Sequence, residues 1–218
     1  VLFGDWQIAF QTYIDIYNLE GQKDVEKIKR AREVMEYQMS TTPNDYWWWA
    51  DGLYMVMPVM TKLYNVTGNE LYLDKLQEYF AYANSIMYDE EAQLYFRDAK
   101  YVYPKHKSSN GKKDFWARGD GWVFAGLAKV IQDLPKDSPV REQFILRFKA
   151  MALSLKNAQQ PEGYWTRSML DPQHAPGPET SGTAFFTYGY LWGINNNILD
   201  KKDYLPVVSK SWNYLSKT

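Results

Sequence analysis

The chain has 218 residues, enough for one sizeable domain with its own core. Its 25 Lys and Arg against 26 Asp and Glu leave a net charge of −1, which argues against a nucleic-acid or anionic-membrane partner, since either needs a basic face. There is no Cys, so disulfide frameworks and thiolate chemistry are excluded. Neither of the two histidines, His106 and His174, has a His or Cys neighbour at helical spacing. A His-rich metal site is therefore excluded, a carboxylate-bound Ca²⁺ is not, and no cofactor is expected. No apolar run reaches the length of a transmembrane span. No signal peptide is visible and the chain opens at Val1 rather than Met, which leaves its compartment open between a bacterial cytoplasm and a periplasm. Aromatic residues make up 17% of the chain, an excess that suits either a carbohydrate cleft or an aromatic core.

The first predicted helix runs from Asp5 to Leu19, with Trp6, Phe10, Tyr13, Ile14 and Tyr17 at helical spacing. After a break at Gly21, Asp24 should cap an amphipathic outer helix to about Met39, with Val25, Ile28, Arg32, Met35 and Met39 on one stripe. A third helix follows Asp51 to about Val66; it is apolar nearly all round and hence buried, and Pro58 should kink it or delay its regular start. Thr67-Gly68-Asn69 stops it, and an amphipathic fourth helix spans about Glu70 to Met87. Leu94 to Tyr103 alternates like short strands or an extended loop, and Lys105 to Lys113 reads as a polar excursion. A fifth helix begins near Trp116 and runs to about Gln132, and a sixth follows Ser138-Pro139 to about Gln159. A proline-rich loop then leads to a seventh helix, about Thr180 to Ile194, and an eighth begins near Tyr204.

Buried apolar helices thus alternate with charged amphipathic ones, the pattern of a helical-hairpin array. In such an array the inner helices run parallel, so the loops that precede them share one end. Those loops carry Asp5, Trp49, Asp51, Trp116, Arg118, Asp120, Trp122 and Glu179. Asp51 has two readings: an N-cap on a buried helix, or a carboxyl group at the floor of an aromatic pocket, where apolar surroundings raise its pKa towards acid chemistry. Arg118 either stacks on its indole neighbours to close the end of the array or binds a substrate carboxylate. For Thr180-Ser181-Gly182 helix capping is the expected role, and Glu179 could partner Arg118 or Arg167. His174 reads as a surface residue.

Three motifs occur in order: Trp49-x-Asp51-Gly-Leu-Tyr-Met, Phe115-Trp-x-Arg-Gly-Asp-Gly-Trp and Gly177-Pro-Glu-Thr-Ser-Gly-Thr-Ala. Together they resemble the unsaturated rhamnogalacturonyl hydrolases of glycoside hydrolase family 105, which are related to the unsaturated glucuronyl hydrolases of family 88. The resemblance implies an all-α fold, an (α/α)6 barrel of alternating inner and outer helices. About four hairpins can be counted, so residues 1–218 are expected to form a single barrel catalytic domain that is incomplete at both ends. It also implies a small anionic oligosaccharide as substrate, with a 4,5-unsaturated uronate removed by hydration of its enol ether. By position, Asp51 matches the general acid/base and Asp5 the aspartate that assists it. Trp49, Trp116, Arg118 and Trp122 match residues lining the pocket of the unsaturated sugar. Asp98, in Phe96-Arg97-Asp98, matches a place that some members fill with His. Competing readings are an inverting glycosidase on saturated substrates and a non-catalytic carbohydrate-binding scaffold. A sugar epimerase would need two active-site histidines, which His106 and His174 are poorly placed to provide.

Overall fold

The structure, a computed structural model, describes residues 2–218. Helices α1 (Gly4–Gln7) and α2 (Ala9–Leu19) form the first inner arm and α3 (Glu26–Ser40) its outer partner. Three more hairpins follow: α4 (Ala50–Thr67) with α5 (Leu71–Met87), α6 (Ala117–Asp133) with α7 (Arg141–Ala158), and α8 (Thr180–Asn195) with α9 (Lys201–Leu215). The inner helices pack side by side in the order α2, α4, α6, α8. Between α5 and α6 lies a short antiparallel ladder of β1 (Tyr88–Asp89) and β2 (Leu94–Tyr95). The predicted alternation of four inner and four outer arms is the observed one.

Three local differences have physical causes. The first inner arm is interrupted at Ile8, where Gln11 N–H reaches back only to Ile8 O. On α3 the buried stripe is Ile28, Ala31, Val34, Met35, Gln38 and Met39; Val25 and Arg32 stay in solvent, because the stripe is rotated from the one drawn through them. Asp24 stands just outside that helix and accepts from Glu26 N–H at 3.2 Å. Pro58 sits inside α4, which continues through it. A proline has no N–H for the carbonyl four residues back. Here that orphan, Tyr54 O, is taken by Gln11 Nε2 of α2 at 2.8 Å, with Met55 O at 3.0 Å from the same nitrogen. The carbonyl that Pro58 leaves without a helix donor thereby becomes part of a cross-link between two inner helices, and the regular start at Ala50 is not delayed. Gly68, with φ +68°, ends α4 in the left-handed conformation that Gly adopts at no steric cost.

Much of the aromatic excess is core. Trp47, Trp165, Tyr72, Tyr79 and Tyr190 are fully buried, and Phe124 stacks on Phe148 at 4.3 Å. The inner helices approach closely where they carry glycine. A Cβ on Gly182 would lie 2.8 Å from the Ala117 carbonyl carbon and 2.6 Å from Glu179 Oε2. Gly182→Ala must therefore push α8 from α6, and overpacking of this kind costs about 1–3 kcal/mol. Urea unfolding should show the loss as a lower midpoint; an unchanged midpoint would mean that the two helices separate freely.

Candidate active site

The first turns of the inner helices meet at one end of the array. Trp49 ends an extended segment and Ala50 begins α4; Ala50 N–H is bonded to Arg97 O at 2.9 Å, and Trp49 pairs with Asp98. One hairpin later the same arrangement recurs, with Ala117 N–H bonded to Arg167 O at 3.0 Å and Trp116 paired with Ser168. These bridges hold the extended loops against the helix starts. They frame a cavity of about 540 Å³ lined by Arg97, Tyr101, Asp114, Trp116, Arg118, Arg167 and Glu179.

Asp51 is the second residue of α4 and is half-buried. It is not the N-cap: that position is Trp49, and no side chain caps the helix. Burial raises the pKa of Asp51. Its own backbone N–H and the charges of Arg97 and Arg118 pull it down, Asp5 pushes it up again, and the net direction is upward. Asp5, in the first turn of α1, is exposed and close enough for its charge to be felt at Asp51. The structure thus brings Asp51, Asp5, Arg97 and Arg118 into one electrostatic neighbourhood.

The aromatic candidates divide. Arg118 is exposed and lies 4.4 Å from the centroid of Trp116, and both line the cavity. Trp49 is buried, stacked on Phe3 at 4.9 Å, so it forms the wall behind the first turns of α1 and α4. Trp122 faces Tyr54 and Phe185, at 4.8 and 4.3 Å, on the inner-helix surface. Among the described residues Arg118 makes no ion pair.

Other expectations for this rim are corrected. Asp120 is fully buried and turned away from it; Oδ1 accepts from Tyr95 N–H at 2.8 Å, and burial raises its pKa well above the carboxylate range. Glu179, not Thr180 or Ser181, caps α8. Its carboxylate accepts from Gly182 N–H at 2.6 Å and from the Ser181 hydroxyl, so it partners neither Arg118 nor Arg167. Arg167 instead holds both oxygens of buried Asp114 at 2.8 Å. Burial alone would raise the pKa of Asp114, but bonds from Arg167 and His106 are among those that outweigh it, and the net direction is down. His174 is half-buried rather than on the surface: Nδ1 accepts from Ser109 N–H at 3.0 Å, and Nε2 lies 3.8 Å from Asp114. Asp98 is buried under Arg97. The residues missed from sequence are Arg97, Tyr101, Asp114 and Arg167. Their one available signal was a repeat, Arg97-Asp98 and Arg167-Ser168, each placed one hairpin after a Trp-Ala pair.

Among the described residues, no group of three or more His, Cys, Asp or Glu is placed to hold a metal ion, and no helix is long and apolar enough to cross a membrane.

Comparison with known proteins adds a family. The profile described as Glycosyl Hydrolase Family 88 matches residues 2–218. A curated relative from Formosa agariphila, described as an unsaturated 3S-rhamnoglycuronyl hydrolase, is 37% identical over 174 residues, covering 78% of this chain and 46% of its own. A solved structure of a family 88 glycosyl hydrolase from Bacteroides vulgatus is 63% identical with a TM-score of 0.98, over 100% of this chain and 62% of that one. A second solved structure, described as a polysaccharide lyase, is 74% identical with a TM-score of 0.97, over 99% of this chain and 60% of that one. The chain therefore spans about half the length of the curated relative and about three fifths of each solved structure. The match takes in every helix from α1 to α9, and the chain belongs to Glycosyl Hydrolase Family 88, the relative of the family that its motifs resemble.

Proposed function

We propose that the protein carrying this chain removes a 4,5-unsaturated uronic acid from the non-reducing end of oligosaccharides left by polysaccharide lyases. The observation that carries this reading is Asp51: a half-buried carboxyl with a raised pKa, flanked by Asp5 and by the cations Arg97 and Arg118. An enol ether needs a proton at C4, and a carboxyl group that stays protonated longer than usual can supply it. The resulting carboxylate then takes a proton from a water molecule as that water adds to C5. The hemiketal opens, the C–O bond to the next sugar breaks, and the next sugar leaves with a proton. Arg118, with no carboxylate partner among the described residues, is the counter-charge for the uronate, and Trp116 beside it offers a ring face. The name of the relative from Formosa agariphila, an unsaturated 3S-rhamnoglycuronyl hydrolase, supports the same class of substrate.

A second reading comes from the 74%-identical structure described as a polysaccharide lyase. A lyase makes the double bond that the proposed enzyme consumes, so one measurement separates them. Incubation with an unsaturated disaccharide should lower the ultraviolet absorbance of the conjugated enol ether. Rising absorbance from a saturated uronate polysaccharide would instead establish elimination, and sugar release from saturated glycosides with no absorbance change would point to an inverting glycosidase.

A further inference from the structure

Arg97 acts on Asp51 from a different element, the extended loop after β2. Its carbonyl accepts from Ala50 N–H at 2.9 Å, one residue before Asp51, and Trp49 pairs with Asp98. Those backbone bonds fix where the Arg97 side chain starts, not where its charge ends. The side chain is long and 42% exposed, and an unheld guanidinium would turn out into water. Two contacts hold it. Arg97 Nη1 donates to Asp98 Oδ2, and the guanidinium lies 5.6 Å from the centroid of the Tyr101 ring. Asp98 is itself fixed: its side chain is 4% exposed, its Oδ1 accepts from Lys100 N–H at 2.8 Å, and its carbonyl accepts from Tyr101 N–H at 3.0 Å. One carboxylate oxygen thus serves the backbone turn and the other serves the arginine. The charges acting on Asp51 come from three elements: Arg97 of this loop, Arg118 of α6 and Asp5 of α1. Arg97 shares its cavity with two further carboxylates, but neither competes for it. Asp114 is paired with Arg167 and bonded to His106, which stands edge-on to Tyr101, and Glu179 caps α8.

We propose that Asp98 is a positioning residue for the proton donor: it holds the Arg97 guanidinium within range of Asp51 and acts on Asp51 only through that cation. The proposal rests on the reaction of the preceding subsection, in which Asp51 delivers the proton. Asp98→Asn separates the two duties of the carboxylate. An amide has one oxygen, and its NH2 group only donates. The oxygen stays with Lys100 N–H, whose place the turn fixes, so the NH2 group faces Nη1 and the guanidinium leaves for water. Asp51 then loses a positive neighbour that favours its ionised form, and it keeps its proton to higher pH.

The test is the alkaline limb of kcat/KM on an unsaturated disaccharide, which reports groups of the free enzyme. It is measured in the protein carrying this chain and in Asp98→Asn, Arg97→Gln and the double variant. Asp98→Asn should move the limb up by about 0.5 pH unit, the size expected of a partly exposed charge pair, as Arg97→Gln does. The double variant should move it no further than Arg97→Gln alone, because a residue that acts through Arg97 then has nothing to act through. A limb that stays or falls in Asp98→Asn while Arg97→Gln raises it would overturn the proposal, and so would a double variant whose shift is the sum of the two. A merely structural loss lowers the height of the profile and leaves the limb in place. The carboxyl-carbon NMR titration of Asp51, assigned by its absence in Asp51→Asn, should give the same pattern of midpoints. It also separates two failures. If even the wild type turns over no unsaturated sugar, the reaction is removed, and the midpoints of Asp51 still decide whether Asp98 works through Arg97. Should Asp98→Asn fail to fold, the wild type carries the test: a held guanidinium shows separate Nη proton signals, assigned by their loss in Arg97→Gln, and one averaged signal would overturn the proposal.

Discussion

Asp51→Asn should lower kcat on an unsaturated disaccharide by roughly 10²–10⁴-fold, the range typical of a lost general acid or base. The fold should survive, because Asp51 caps nothing: the N-cap of α4 is Trp49, and no side chain caps that helix. Only a first-turn carboxylate near a helix N-terminus is lost, worth about 0.3–1 kcal/mol. The pH profile of the wild type carries the sharper signature. A proton donor works while it is protonated, so kcat/KM should fall as pH rises through the pKa of Asp51, which burial has moved upward against the pull of Arg97 and Arg118. Arg97→Gln removes one of the charges holding that pKa down, so the alkaline limb should move to higher pH. Asp5→Asn removes a charge pushing it up, so the limb should move to lower pH. Limbs that stay fixed in both variants, or an Asp51→Asn enzyme with kcat near wild type, would take Asp51 out of the chemistry.

The hairpin architecture was legible because burial writes itself into periodicity. α4, α6 and α8 are apolar on most faces and lie inside, while their partners keep a charged outer face. The motifs Trp49-x-Asp51 and Trp116-x-Arg118 marked the rim because each begins where an extended segment enters an inner helix. The same adjacency misled at Asp120. It is two residues beyond Arg118, and residues two apart on a helix do not share a face. Arg118 thus reaches the cavity while Asp120 is buried. Arg97 and Arg167 were not legible as cavity residues for another reason: they lie in extended loops without periodicity, and backbone hydrogen bonds set their place. Such bonds leave no trace in side-chain type. Asp114 was hidden too, because its partners His106, Arg167 and His174 are brought to it only when the loops before α6 and α8 fold together.

Asp120 gives the largest expected effect on stability. Its carboxyl has no exposed surface; Oδ1 ties Tyr95 N–H, and thus β2, to α6, while Oδ2 meets no donor among the described residues. Burial raises its pKa well above the ordinary range, and the single bond from Tyr95 opposes this only partly. The native state therefore holds the proton more tightly than the unfolded chain. Below the unfolded pKa, about 3.9, both states are protonated and the favourable contribution is fully present. As pH rises from there to the folded pKa, the unfolded chain releases its proton and the native state does not, so stability falls by about 1.4 kcal/mol per pH unit. Asp120→Asn keeps an acceptor for Tyr95 N–H and does not titrate. Thermal unfolding of the two proteins across this window should show the wild type losing Tm relative to the Asn variant as pH rises. Parallel Tm curves would mean that the carboxylate is solvated or paired in the native state. Asp120→Ala goes further, because it strands a buried N–H at a cost of about 1–3 kcal/mol. That loss reaches the rim: Tyr95 is followed two residues later by Arg97, whose carbonyl holds the first turn of α4. The Ala variant should therefore lower both the unfolding midpoint and the turnover of unsaturated disaccharide, whereas the Asn variant changes the pH dependence of stability and spares turnover.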